Sequence, residues 1–347
     1  MSMFDFGIQD DATDNPEIVA PTAAAAPKTV QLEPFAQLDL SQLLDSLPPL
    51  ISFSPLPIHL FDARFQLISE GHGDESSGRD LRPPTAALGF LDAPSDLVPG
   101  VYEGGLKTWE CSLDLVGYLD SLDLHFSGKR ILEIGCGTGI PSVFILHRLF
   151  GGDSTSTSET HVHLQDYNAS VLELITLPNI LLAWYMSPAS QEYRSSESEP
   201  DTEYPPTEPT ASGELPLTPT LKAAFVASLS KYGIKLTFSS GAWGSLHAHL
   251  ESTSEPTYDV VVTSETIYRT ESLHALIELL HRVSGPNTMC LVAAKVLYFG
   301  VGGGVSEFSA ALQSKAIIEA RCAGKAESVW DRKIGVGRKI LRIEWEA

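Results

Sequence analysis

Base is scarce in this sequence, cysteine is sparse and long apolar runs are missing. Lysine and arginine number 23 against 44 aspartate and glutamate, a formal net charge of −21 over 347 residues. The imbalance is uneven: residues 1–100 carry 15 acids and 4 bases, residues 101–180 carry 10 and 4, residues 181–220 carry 7 and 1, and residues 221–347 carry 12 and 14. Such a chain has no basic face for phosphates, so direct nucleic-acid binding is not expected. The acid either attracts a basic protein partner or serves only to keep the chain in solution. Cys111, Cys136, Cys290 and Cys322 form no C-x-x-C pair, which argues against a disulfide framework and a zinc site and fits a reducing compartment. No metal is expected. No uninterrupted apolar run approaches the length that crosses a bilayer. The opening "MSMFDFGIQDD" carries acid where a secretory leader carries base. A soluble, cytoplasmic protein with no membrane contact is the expectation, with the nucleus as a second location.

What is present is enough apolar residue, 43%, to bury a real core. Residues 1–50 are acidic and rich in Ala and Pro and read as a disordered tail, although "DLSQLLDSLPPL" has the pattern of a short amphipathic helix stopped by prolines. Residues 51–95 form an amino-terminal extension, and residues 96–347 the main domain. There, strand and helix patterns alternate. Arg130–Gly135, "HVHLQDY", "IKLTFSS", "YDVVVTSE" and "TMCLVAAKVLYFG" read as strands; Pro141–Phe150, a segment through Thr176 capped by Asn168, and Glu271–Val283 read as helices. That order predicts an α/β fold, a doubly wound parallel sheet with helices on both faces. The last two strand candidates, near Glu327 and Arg338, lack a helix between them and suit an antiparallel pair. Two stretches interrupt the pattern. Residues 151–160 are a Ser/Thr-rich loop, and residues 186–219 have the Ser, Glu and Pro content of a disordered insertion dispensable for the fold.

Chemistry concentrates behind the first strand, in "RILEIGCGTGIPSVFILH". A strand, a glycine loop and a helix start bring backbone N–H groups close to a ligand. Gly135, Gly137 and Gly139 give G-x-G-x-G, whereas a dinucleotide fingerprint puts its third glycine at position 140, which is Ile. No Walker spacing follows. Glu133, just before the loop, is unwelcome beside a pyrophosphate and fits a ligand bearing an ammonium or a sulfonium. Asp166, at the end of the second strand, is placed to accept hydrogen bonds from ribose hydroxyls. An acid at that position can equally cap a helix.

"LEIGCGTG" resembles the first motif of class I S-adenosylmethionine-dependent methyltransferases. Around it, "SDLVPGVYEGGLKTWECSLDLVGYL", "LQDYNASVLELITLPNI", "VVVTSETIYRTESL" and "AAKVLYFGVGGGVSEF" stand in order, and together they resemble the protein-histidine methyltransferases, within the seven-strand methyltransferases called family 16. The resemblance implies a Rossmann-like seven-stranded sheet, S-adenosylmethionine as cofactor, and methyl transfer to Nτ of one histidine in a large-subunit ribosomal protein, by a monomer. It implies that Thr108, Trp109, Glu110, Cys111 and Ser112 cover the cofactor, and that Glu133, Gly135, Gly137 and Gly139 hold its methionine moiety. Gln165, Asp166 and Tyr167 would flank ribose and adenine. Gly241, Ala242 and Trp243 would lie beside adenine, with Ser264 near the methionine end. Ala242 departs from the polar residue expected there, leaving that contact to the backbone and Trp243.

Glu265 and Tyr268, in "SETIY", fall where the wider group carries an acid, two residues and an aromatic facing substrate. The blander readings are a helix cap for Glu265 and rim packing for Tyr268; for Trp109 the bland reading is core. Gly302–Gly304 is either a hinge or a point of close substrate access. The "HVH" and "HAH" pairs lack acid or cysteine partners at ligand spacing, which favours structural or solvent roles over metal. A lysine methyltransferase of the same fold and a non-catalytic cofactor-binding adaptor are the rival functions. Neutral imidazole already offers a lone pair near pH 7, so the site must align a nucleophile rather than deprotonate one.

Overall fold

The computed structural model describes residues 33–55, 61–62, 104–152, 158–196, 204–205, 207, 211–300 and 302–346. Its strands, in chain order, are β1 (Ala36–Leu38), β2 (Leu50–Pro55), β3 (Phe61–Asp62), β4 (Arg130–Ile134), β5 (Thr160–Asp166), β6 (Gly213–Pro216), β7 (Ile234–Ser240), β8 (Tyr258–Ser264), β9 (Ser284–Lys295), β10 (Gly324–Arg332) and β11 (Arg338–Trp345). Eight of them make one sheet in the order β1-β7-β5-β4-β8-β9-β11-β10. The five inner strands β7, β5, β4, β8 and β9 run parallel. The expected carboxy-terminal pair is antiparallel, β11 lying between β9 and β10. The seven expected strands are thus present, and β1 adds a short antiparallel eighth against β7.

Parallel strands are covered on both faces, so their apolar residues need not alternate with polar ones. In β4, Ile131, Leu132 and Ile134 have no exposure at all. Ile131 packs with Val162, Leu164 and the helices Ile140–Phe150 and Leu177–Tyr185; Leu132 and Ile134 pack on the other face with Val261 and the helix Leu273–Val283. That helix buries Leu273, Leu276, Ile277, Leu280 and Val283, one stripe at helical spacing. Each such side chain contributes about 1.5–3 kcal/mol. The order in which strands are added reverses at β4: β5 and β7 extend the sheet one way, β8 and β9 the other. Ligand crevices open at the carboxyl ends of strands at such a reversal.

Four expectations change. Residues 1–32 lie outside the described residues, but the front segment joins the fold by Ala36 rather than near 51. β1 pairs with β7, Phe35 stacks on His249 at 4.0 Å, and the helix Leu40–Ser46, capped by Asp39, buries Leu43 and Leu44. Residues 186–219 are anchored at both ends. Pro188–Ser195 is helical, Tyr193 and Tyr204 hydroxyls meet at 2.7 Å, and β6 pairs with β2. Sparse aromatic and aliphatic residues overrule the polar average of that stretch; residues 197–203, 206 and 208–210 lie outside the described residues, as do 153–157 of the first loop. Asn168 precedes a helix but makes no cap bond; its Nδ2 donates to the Gly104 carbonyl at 3.1 Å. The segment that follows contains a π turn, Leu172–Thr176, which brings the Thr176 hydroxyl to the Gly137 carbonyl at 2.7 Å.

Gly303 donates to the Tyr268 carbonyl at 3.0 Å, and a Cβ there would stand 2.3 Å from that peptide carbon. The triple glycine therefore lets two loops touch at the Tyr268 backbone. His161 bonds Thr237, and His163 lies between Tyr258 and Ser239, each at 2.7 Å. Among the described residues no cluster of three or more His, Cys, Asp or Glu is arranged for a metal ion.

Candidate active site

Three glycines at alternate positions encode three left-handed residues: φ is +61° at Gly135, +51° at Gly137 and +70° at Gly139, values that cost a residue with a Cβ about 1–2 kcal/mol each. The path turns backbone N–H groups toward β5. Gly135 donates to Gln165 Oε1 at 3.2 Å, Cys136 to the Gln165 carbonyl at 2.8 Å, and Gly137 to Asp166 Oδ2 at 2.9 Å. The other Asp166 oxygen accepts from Asn168 N–H at 3.0 Å. Burial pushes the Asp166 carboxyl up to about 6, against the pull of these N–H groups.

A cavity of about 340 Å³ opens between this loop and the carboxyl ends of β5 and β8. Gly135, Gly137, Asp166, Tyr167 and Trp243 line one part; Trp109, Ser112, Ser264, Glu265 and Tyr268 line another. Trp109 is thus neither core nor remote, being 38% exposed at the mouth.

The other expected contacts stand behind the wall. Thr108 Oγ1 bonds Thr138 at 3.1 Å, the Cys111 side chain is buried, and Glu110 pairs with Lys295 without lining the cavity itself. Gly139 starts the helix Ile140–Phe150, and Gln165 bridges Gly135 N–H and the Gly241 carbonyl (2.9 Å). A Cβ on Gly241 would meet the Pro34 carbonyl at 2.3 Å, and Ala242 N–H is taken by the Glu33 carbonyl at 2.9 Å. The front segment therefore occupies the backbone group that sequence reasoning offered to adenine, leaving Trp243 as the wall. Glu133 is the larger correction. Its Oε2 accepts from Ser142 N–H at 2.9 Å, so it caps the first turn of the helix from beneath the loop. Burial raises its carboxyl to about 8. A group that is mostly protonated at pH 7 and faces away from the cavity does not balance a ligand's positive charge.

The substrate end is built on Glu265, in the left-handed region at φ +59° without being glycine, a strained choice typical of functional loops. Its Oε1 accepts from Cys111 N–H at 3.4 Å and faces Lys295 Nζ at 3.8 Å. Lys295 also reaches Glu110 Oε2 at 3.4 Å and lies 4.5 Å from the Trp109 ring centroid, a cation–π contact. Burial, with the Glu265 carboxylate nearby, pushes the Tyr298 phenol well above its usual value; its ring meets Tyr268 edge-on at 6.3 Å. Glu265 does not cap the following helix, whose N-cap position is Ser272. Sequence reasoning missed Lys295 and Tyr298. A lysine ending the apolar strand "CLVAAK" was the available signal.

Comparison with known proteins identifies the family. A methyltransferase-domain family matches residues 115–295. Histidine protein methyltransferase 1 of Saccharomyces cerevisiae is 36% identical over 263 residues, covering 74% of this chain and 68% of the relative. Histidine protein methyltransferase 1 of Schizosaccharomyces pombe is 34% identical over 257 residues, covering 73% and 67%. Among solved structures, the rRNA methyltransferase aviRa of Streptomyces viridochromogenes is a looser match, with TM-score 0.36 and 14% identity over 76% of this chain and 94% of that one. With a methyltransferase domain over half its length and relatives this similar across two thirds of theirs, the chain belongs to the histidine protein methyltransferase family and is an S-adenosylmethionine-dependent protein methyltransferase.

Proposed function

We propose that this chain methylates Nτ of a histidine in a large-subunit ribosomal protein, acting in the cytoplasm and nucleus. Support for the compartment is limited to chemistry: all four cysteines are buried and free, as in reducing surroundings. Its residues suit S-adenosylmethionine. A Cβ on Gly135 would stand 2.7 Å from Thr266 Cγ2, so the loop keeps a cradle only glycine leaves open, and Asp166 supplies a buried acceptor for a ribose diol. When bound, the cofactor supplies an electrophilic methyl on a positively charged sulfur.

The observation that carries the choice of histidine is the Lys295–Glu265 pair at the substrate end. Lys295 already supplies Glu265 with a cation, so an incoming lysine ammonium finds that carboxylate taken, whereas imidazole, with an ordinary pKa of about 6.5, enters neutral and needs only a hydrogen-bond acceptor. Glu265 accepts the Nπ–H, which fixes the tautomer and leaves the Nτ lone pair toward the donor. As the new N–C bond forms and the methyl's bond to sulfur breaks, the positive charge passes from sulfur to the ring; the same carboxylate balances that charge and takes the Nπ proton, leaving a neutral methylated imidazole. Holding the two reacting atoms about 3 Å apart supplies several kcal/mol by orientation alone.

Labelled donor, the purified chain and ribosomal proteins extracted from large subunits test this. Mass mapping is expected to find label on one histidine, with a rate that levels off above about pH 7. Label on lysine, with a rate still climbing at high pH, would establish the rival enzyme; cofactor binding without transfer to any protein would establish an adaptor.

A further inference from the structure

The front segment braces the cofactor cavity without lining it. β1 is three residues long and leaves Ala36 and Gln37 exposed, so the strand buries little of its own. The firmer contacts come just before it and fall on one corner, the turn from β7 into the helix Trp243–Thr253. That helix starts at Ala242, which offers no capping side chain. The Glu33 carbonyl holds the start from outside, accepting from Ala242 N–H at 2.9 Å and from the Ser245 hydroxyl at 3.1 Å, one bond for each of its lone pairs. Two residues on, Phe35 lies flat on His249 of the same helix, with 17° between the rings. Gly241, at φ +114°, takes a left-handed turn and leaves the room in which Pro34 passes.

The same corner carries Trp243, the first residue of the helix, which lines the cavity beside Asp166 and Tyr167. Gly241 N–H ties the corner to that side, donating to the Asp166 carbonyl at 3.1 Å and the Tyr167 carbonyl at 3.2 Å. Phe35 and Trp243 are both half-buried and pack against one buried cluster. An indole at the first position of a helix is fixed only as well as the helix start, where backbone groups lack partners within the helix. Here Glu33 and Phe35 supply the fixing.

We propose that Glu33, Pro34 and Phe35 belong to the cofactor site as positioning residues: they hold the first turn of the helix so that Trp243 stands as the wall at the adenine end, and cofactor affinity depends on their attachment. None of the three has to touch the ligand. The inference concerns the cofactor alone and holds whichever residue receives the methyl group. Coupling of this kind is reciprocal, so a strap that tightens ligand binding is tightened by the ligand to the same factor.

The full chain and S-adenosylhomocysteine provide the test. In the unaltered chain, the ligand is expected to slow amide hydrogen exchange over residues 33–38 and at Ala242 by about 5- to 10-fold. In calorimetry, Phe35→Ala should weaken the ligand by about 5- to 10-fold, and Phe35→Tyr, which keeps the stacked ring, should bind like wild type. Ser245→Ala removes one exposed bond to Glu33 and leaves the core untouched; it should cost about 2- to 5-fold in affinity. A double-mutant cycle separates positioning from general support of the fold: once Trp243→Ala has removed the wall, Phe35→Ala should weaken binding no further. Losses that multiply in the double variant would overturn the proposal. So would wild-type affinity in Phe35→Ala, or exchange over residues 33–38 that the ligand leaves unchanged. Absence of histidine label on ribosomal proteins would remove the proposed reaction and leave these binding results standing.

Discussion

Asp166 holds the glycine loop and faces the cavity at once, and one carboxylate can do both because each oxygen has two lone pairs. Gly137 N–H and Asn168 N–H take one pair on each oxygen, and the remainder point to the ligand side. Asp166→Ala strands two N–H groups where water is scarce, at about 1–3 kcal/mol for an unsatisfied buried donor. Affinity for S-adenosylhomocysteine should fall about 10- to 100-fold by calorimetry; Asp166→Asn keeps one acceptor but turns an NH₂ toward a donor, and should fall about 10-fold. Because burial holds the carboxyl near about 6 and the ligand prefers its ionised form, wild-type affinity should weaken as pH falls from 7 to 5. Affinity in the Ala variant equal to wild type would remove Asp166 from the site. Asp166 was legible as far as its place, since the carboxyl end of a strand beside a glycine loop borders the crevice, while the alternative of a helix cap stayed open until the geometry was seen. Glu133 misled for a related reason: strand alternation gives the face a side chain points to, but not whether a helix start or a ligand waits there.

At the scale of elements, the helix Glu110–Ser121 closes the cavity, and two cations on neighbouring strands hold it. Lys295 ends β9 and takes Glu110; Arg338, its register partner at the start of β11, makes a two-pronged contact with Asp114, with Nη2 at 3.1 Å from Oδ1 and Nε on Oδ2. Asp114 and Arg338 are only 10% and 11% exposed. Removing one member leaves a nearly buried charge without its partner, which costs about 3–5 kcal/mol, whereas removing both can be nearly neutral. Arg338→Met should therefore lower Tm by several degrees and weaken S-adenosylhomocysteine binding through the loosened helix, and Asp114→Leu in the same chain should restore most of both. An unchanged Tm in the single variant would refute the anchoring role. None of this was readable along the chain. Helix and strand were each legible from their periodicity, but 224 positions separate Asp114 from Arg338, and only the antiparallel return of β11 brings them together. The insertion at 186–219 failed to read for the converse reason: its Ser, Glu and Pro average hid Tyr193, Tyr204 and Leu215, the few residues that fasten it.

For the whole molecule, buried titratable groups set how stability depends on pH. His163 and His161 are held at about 3 and about 4, burial being the first cause in each. Unfolded, both take up protons below their ordinary 6.5, so stability falls as pH drops from 6.5 toward 3. Glu133 acts in the opposite sense. Held at about 8 against an ordinary 4.5, it keeps a proton that the unfolded chain has released, and stability is lost as pH rises through 8; Asp166 does the same between 3.8 and about 6. Between about 4.5 and 6 the two histidines and the two acids offset one another. From 6.5 to 8 only Glu133 remains, with a slope near −1.4 kcal/mol per pH unit for one proton. Tm should therefore be nearly level between about pH 4.5 and 6.5 and decline on both sides of that interval. Glu133→Gln keeps an acceptor for Ser142 N–H and cannot titrate, so it should flatten the decline between pH 6.5 and 8 and, with its share of the offset gone, make stability rise with pH between about 4.5 and 6.5. The remaining surplus of acid over base acts on both proteins alike, so the difference between their curves isolates this one carboxyl. Parallel curves across that interval would mean that Glu133 is already ionised in the folded chain, and that the helix start above it stabilises the charge more than burial opposes it.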